Sequence, residues 1–107
     1  MPAVTPLRYY GCMHVHGVRL EAQRKSDYEP LIQLLEYVEW STRSRIDDIV
    51  VTPERVIDAT LNRFVSHYTA DTIADELETL ATELQLDFID IIVRTNGYAV
   101  EKLTRAG

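Results

Sequence analysis

The C-terminal stretch LDFIDIIVRTNGYAVEKL, residues 86–103, restricts the fold more than any other part of this chain. It is rich in β-branched and aromatic residues and is divided by Asn96-Gly97. Both of those residues tolerate the positive φ that a two-residue hairpin requires. Strands over 87–95 and 98–103 are therefore expected. The alternative is a helix over 86–95 ended by Gly97, because Phe88 and Ile92 stand four apart. As a strand, 87–95 is apolar on both faces, with Phe88 and Ile92 on one side and Ile89, Ile91 and Val93 on the other. That pattern suits a central strand or one buried by a second subunit, so a homodimer is expected.

Upstream, residues 7–20 (LRYYGCMHVHGVRL) carry no helix-start signal and predict a strand, irregular at Gly11 or Gly17. Ser26-Asp27-Tyr28-Glu29 offers a capping box with Pro30 in the first turn, and Tyr28, Leu31, Ile32, Leu35 and Val38 follow at helical spacing to about Thr42. After STRSR, the run IDDIVV predicts a short strand. Thr52-Pro53-Glu54 supplies a cap, a first-turn proline and an acid, which predicts a second helix with the stripe Ile57, Leu61, Phe64 and Tyr68. A break at Thr69-Ala70-Asp71 opens a third helix with the stripe Ile73, Leu77, Leu80 and Leu84. With no repeat or linker, residues 1–107 predict a single α+β domain of order β-α-(β)-α-α-β-β. Its mostly antiparallel sheet, formed by the N-terminal strand and the C-terminal hairpin, packs against about three helices.

Of the 107 residues, 46% are hydrophobic and 26% charged, the balance of a chain that folds around one modest core. The single cysteine excludes an internal disulfide and suits a reducing, cytoplasmic setting. The N-terminus shows no signal-peptide pattern, and no run approaches the ~18 apolar residues of a membrane helix. Net charge is −6, and the eleven basic residues, nine of them arginines, are scattered from Arg8 to Arg105. Direct binding of nucleic acid is therefore not expected. Helices followed by a hairpin would also suit a winged helix, but the third helix is acidic and no Arg or Lys stands between Arg63 and Arg94. No Gly-rich nucleotide loop or Gly-x-Ser-x-Gly elbow is present.

Two groups of residues are candidates for function. In GCMHVHG, an extended backbone places Tyr10, Cys12, His14 and His16 on one face, with Leu7, Tyr9, Met13 and Val15 opposite. Cys12, His14 and His16 could converge on zinc or another divalent transition metal, with His67 as a fourth ligand. His-x-His lacks the paired spacing of a zinc finger or the His-Glu-x-x-His of a zincin, so an outer strand face is the favoured explanation of the cluster. Cys12 activated by His14 would be a nucleophile, but no orienting third residue is recognisable.

The second group is a binding surface. Tyr37 and Trp40 lie outside the main stripe of the first helix; they either cover the sheet, the slightly favoured reading, or form an exposed aromatic pair of the kind enriched in interfaces. Asp75, Glu76, Glu78 and Glu83 form the polar side of the third helix, which either is simply solvated or meets a basic partner. The leading expectation is a small, acidic, cytoplasmic, non-enzymatic protein that acts by protein–protein binding as a regulator, inhibitor or assembly factor, without a cofactor. The alternative is a metal-binding protein or metalloenzyme centred on Cys12, His14 and His16.

Overall fold

Strand β1 (Gly17–Glu21) pairs on both sides, antiparallel to β3 (Val56–Leu61) on one edge and to β4 (Asp90–Thr95) on the other. The structure, a computed structural model, describes residues 16–61, 65–95 and 97–104. Strand β2 (Ile46–Val51) flanks β3 and β5 (Tyr98–Leu103) flanks β4, giving an antiparallel sheet of order β2-β3-β1-β4-β5. Helix α1 (Tyr28–Thr42) connects β1 to β2, and α2 (His67–Glu83) connects β3 to β4. The first four strands and two helices follow the split β-α-β order of ferredoxin-like sheets, with β5 appended by a hairpin.

Alternation along the strands decides which face the helices cover. Val18 and Leu20 of β1 stand in register with Ala59 and Ile57 of β3 and with Val93 and Ile91 of β4. All six are buried, and they share one core with Leu31, Leu34, Leu35 and Val38 of α1 and with Ala70, Ile73, Ala74, Leu77 and Ala81 of α2. The alternate positions, including Arg19, Glu21, Asp58, Asp90, Ile92, Arg94 and Glu101, share the opposite face. Ile89, Ile91 and Val93 are fully buried by the chain's own helices. These three therefore need no second subunit to cover them, while Ile92 on the opposite face is half-buried and Phe88 is exposed.

Helix α1 spans the predicted range. Its C-terminus closes with Arg43 in the left-handed region, φ 58°, while the amide of Ser44 donates to the Glu39 carbonyl at 3.2 Å. The Glu39 carboxylate then accepts from the Ile46 amide at 2.8 Å, which aims the chain into β2. Helix α2 begins earlier than Thr69. Ser66 caps it, its Oγ accepting from the Thr69 amide at 3.1 Å, so His67 and Tyr68 lie in its first turn.

The helix expected from Thr52 is corrected, leaving two α-helices and a single 3₁₀ turn (Lys25–Asp27) among the described residues. Residues 52–55 form the β2–β3 turn, in which the Thr52 amide donates to the Val56 carbonyl at 2.8 Å and Arg55 takes φ 69°. Proline near the start of a helix and proline in a turn look alike in sequence, since both need φ near −65°. The following Val56-Ile57-Asp58-Ala59-Thr60-Leu61 also fits period two, with Ile57, Ala59 and Leu61 on the core side. Pairing with β1 selects that period over the 57–61 helical spacing.

The C-terminal hairpin matches its expectation closely. Strand β4 starts at Asp90, because residues 84–89 form a turn in which Gln85 and Phe88 take φ near 60°. Buried Thr104 secures that turn: its Oγ1 donates to the Leu86 carbonyl at 2.7 Å and accepts from the Ile89 amide at 2.9 Å. Phe88 and Leu84 are therefore exposed, where the sequence pattern had placed Leu84 in the core stripe of α2. Of the strand predicted over 7–20, residues 17–20 lie in β1, while 7–15 fall outside the described residues.

Leu20→Ala, at the fully buried centre of the sheet, is expected to lower stability by about 2–5 kcal/mol in denaturant titration. Trp40→Ala, at a side chain 75% exposed, should change it by about 0.5 kcal/mol or less. Equal losses at both sites would contradict the burial described.

Candidate functional site

Antiparallel packing of α1 and α2 leaves a shallow furrow on the side turned away from the sheet. Pro30, Gln33, Leu34 and Tyr37 of α1 face Leu80, Glu83 and Leu84 across a cavity of about 300 Å³. A second hollow of about 220 Å³ continues it, sharing Tyr37 and Leu80 and adding Asp75, Glu76 and Thr79. The core stripe of α1 turns Leu31, Leu35 and Val38 inward, so positions 30, 33 and 37 fall at the helix boundary. Tyr37 is 49% exposed, and its ring lies 5.9 Å from that of Trp40, one turn along.

The residues singled out from sequence are thereby partly brought together. Tyr37 shares one furrow with Asp75, Glu76 and Glu83, and Trp40 extends its end beyond Tyr37. Glu76 is half-buried and ties the helices together, accepting from Ser41 Oγ at 2.9 and 3.1 Å. Asp75 pairs with Lys102 of β5 at 3.0 Å, which raises the lysine pKa through their hydrogen bond. Glu78 leans the same way, adding to the field at Lys102.

The acidity extends beyond that set. Helix α1 adds Glu29, Glu36 and Glu39, and α2 adds Asp71, so the two helices hold eight acids and neither lysine nor arginine. Among the described residues only Asp75 of these eight forms an ion pair. The acids of α1 were legible in the sequence as a helix lacking basic residues. Leu84 was not, because its exposure depends on where α2 ends.

A second polar group occupies the opposite face of the sheet. Register places Glu21 of β1 beside Asp90 of β4, with Glu101 of β5 diagonal to it. Asp90 is pushed up to about 7, first by burial, then by a hydrogen bond and charge repulsion from Glu101 and by the charge of Glu21, with Arg19 opposing. One of its oxygens, Oδ1, is enclosed without a hydrogen-bond partner. Two carboxyls hydrogen-bond only when one keeps its proton, which agrees with Asp90 retaining its proton toward neutral pH. Sequence reasoning missed this group because it requires the β1–β4–β5 register.

The histidines are placed as follows. His16 precedes β1 and is half-buried, its carbonyl accepting from the Leu61 amide at 3.0 Å. His67 is exposed at the start of α2 and stacks on Tyr98 at 4.1 Å, 13° from parallel. Tyr98 in turn donates to Asp71 at 2.6 Å, a bond that raises its pKa and fastens β5 to α2. Cys12 and His14 lie outside the described residues, and among those described no group of three or more His, Cys, Asp or Glu is arranged to hold a metal. No described helix is long and apolar enough to cross a membrane.

No protein-family model matches the chain, and neither a curated protein nor a solved structure matches it.

The Asp90 proton has a consequence for stability. Between the ordinary carboxyl value of 3.8 and about 7, the folded chain keeps a proton that the unfolded chain has released. Stability is then expected to fall as pH rises through that window and to level off above it, as far as this group is concerned. Asp90→Asn should flatten the fall and raise the melting temperature above pH 7. An unchanged pH profile in the variant would place the retained proton elsewhere.

Proposed function

We propose that this chain is a protein-binding domain whose contact surface is the outer side of α1 and α2 and whose partner presents a basic surface. The observation that carries this reading is the charge of the two helices that form the furrow: they hold eight acids and no lysine or arginine, and Asp75, Glu76 and Glu83 line its hollows. Long-range attraction between opposite charges accelerates encounter and fixes orientation, while apolar contacts hold the complex. Both parts are represented here. Glu29, Glu36 and Glu83 make no ion pair and are available to a partner, and Tyr37, Trp40 and Leu84 offer exposed apolar area. Tyrosine and tryptophan are the residue types most often dominant in binding energy at interfaces.

Binding of this kind requires no bond-making chemistry. It suits a small regulator, inhibitor or assembly factor that occupies a basic surface and thereby blocks or organises it. Nucleic acid and anionic membrane surfaces are repelled by the same charges.

The test begins with cross-linking during affinity capture to identify the partner and the contact residues, followed by kinetics on the purified pair. Tyr37→Ala combined with Trp40→Ala should weaken binding by at least about tenfold, mainly through faster dissociation. Glu36→Lys with Glu83→Lys should slow association and flatten its dependence on salt while leaving the fold intact, since both acids are exposed. A partner whose binding is unaffected by either pair of substitutions would place the interface on another face.

A further inference from the structure

Resting on the proposed binding face, we infer that its occupant is a basic amphipathic helix of about three turns laid in the α1–α2 furrow, with its apolar side against Leu34, Tyr37, Leu80 and Leu84. Between its ends the furrow offers no sheet edge and no free backbone group to a partner. It is built from two α-helices of 15 and 17 residues whose amides and carbonyls are satisfied internally along their length. An extended segment placed there would lose water from its own N–H and C=O groups and find no sheet edge to bond with. Such a segment gains its affinity by adding to a strand edge, and in this fold the edges belong to β2 and β5, away from the furrow. A helix brings its backbone hydrogen bonds with it, so only side-chain packing has to be matched.

Length and charge agree with that occupant. The α1 side of the furrow runs from Pro30 to Tyr37 and continues to Trp40, a span of about 15 Å at 1.5 Å per residue, or about three turns of a partner helix. The two hollows, about 300 and 220 Å³, share Tyr37 and Leu80 and so lie in succession along the helix pair, offering two adjacent seats for side chains of a partner. Glu83 lines one hollow and Asp75 and Glu76 line the other, and exposed Glu36 adjoins Tyr37 along α1, so lysines or arginines on the docked helix meet acids along its course. A second copy of this chain is a poor occupant. A two-fold interface apposes the same patch on both subunits, which would set acid against acid with no basic residue on either helix to relieve it.

A defined probe tests this without knowledge of the natural partner. A synthetic peptide with leucines at i, i+3, i+4 and i+7 and lysines elsewhere is mixed with the intact chain. It is compared with a peptide of equal composition in strict leucine–lysine alternation, and with a scrambled one. Trp40 is the only tryptophan, so its emission reports the outer helix face directly. The helical-period peptide is expected to shift that emission to shorter wavelength and to gain helical circular dichroism on binding. It should also perturb the amide resonances of residues 30–40 and 75–84. Tyr37→Ala should weaken it by about tenfold, and Glu36→Lys with Glu83→Lys by a similar factor that disappears at high salt.

Tighter binding of the alternating peptide at the same resonances would overturn the helical occupant and leave the binding face standing. Equal binding of the scrambled peptide, or indifference to Tyr37→Ala, would also overturn it, reducing the interaction to charge alone. Perturbations confined to other parts of the chain, or no binding by any of the three peptides, would overturn both the occupant and the face.

Discussion

The two-sided pairing of β1 is the constraint on which the rest of the structure depends. Val18 and Leu20 hold the register with Ile57 and Ala59 on one side and with Ile91 and Val93 on the other, and all of these point to the same face. Slipping either pairing by one residue would turn a whole apolar row to the opposite face. With the row in place, both connecting helices have one surface on which to bury Leu35, Val38, Ile73 and Leu77. The edges are finished differently. Strand β2 carries a register irregularity between Asp47 and Val50, with Asp48 at φ 53°, whereas β5 is held to α2 by Tyr98–Asp71 and Lys102–Asp75.

Charge is segregated by that architecture. Every described lysine and arginine lies outside the two α-helices, which hold eight acids and neither lysine nor arginine. Some of those acids serve the fold: Glu39 directs the chain into β2, Glu76 binds α1 to α2, and Asp71 and Asp75 anchor β5. Glu29, Glu36 and Glu83 have no such role, and they stand on the same side as the exposed Tyr37, Trp40 and Leu84. Exposed acids contribute little to stability, so folding does not account for this part of the charge layout, and it is on this part that the proposed binding face rests.

The opposite face answers to a different rule. Strand alternation places polar residues there, and register then decides which of them meet. Glu21, Asp90 and Glu101 come from three separate strands, and burial of Asp90, reinforced by its two acidic neighbours, makes it retain its proton toward neutral pH despite the nearby Arg19. A tolerated repulsion of this kind weakens the sheet at its polar face while the apolar face holds it together.

By itself the sequence determined the elements whose signals are local: α1 from its apolar period, the hairpin from Asn96-Gly97, the strand IDDIVV, and the acidity of the segment that became α2. Those signals arise within a few residues, from φ preferences and side-chain spacing. Only the tertiary structure decided whether Val56–Leu61 is a strand or a helix, because Ile57 and Leu61 satisfy both periods and the choice rests on pairing with β1. It also decided that Ile89, Ile91 and Val93 are covered by the chain's own helices, that Leu84 is left at a furrow edge, and that Asp90 meets Glu101. Each of these depends on register and packing between segments far apart in the chain, which no local spacing encodes.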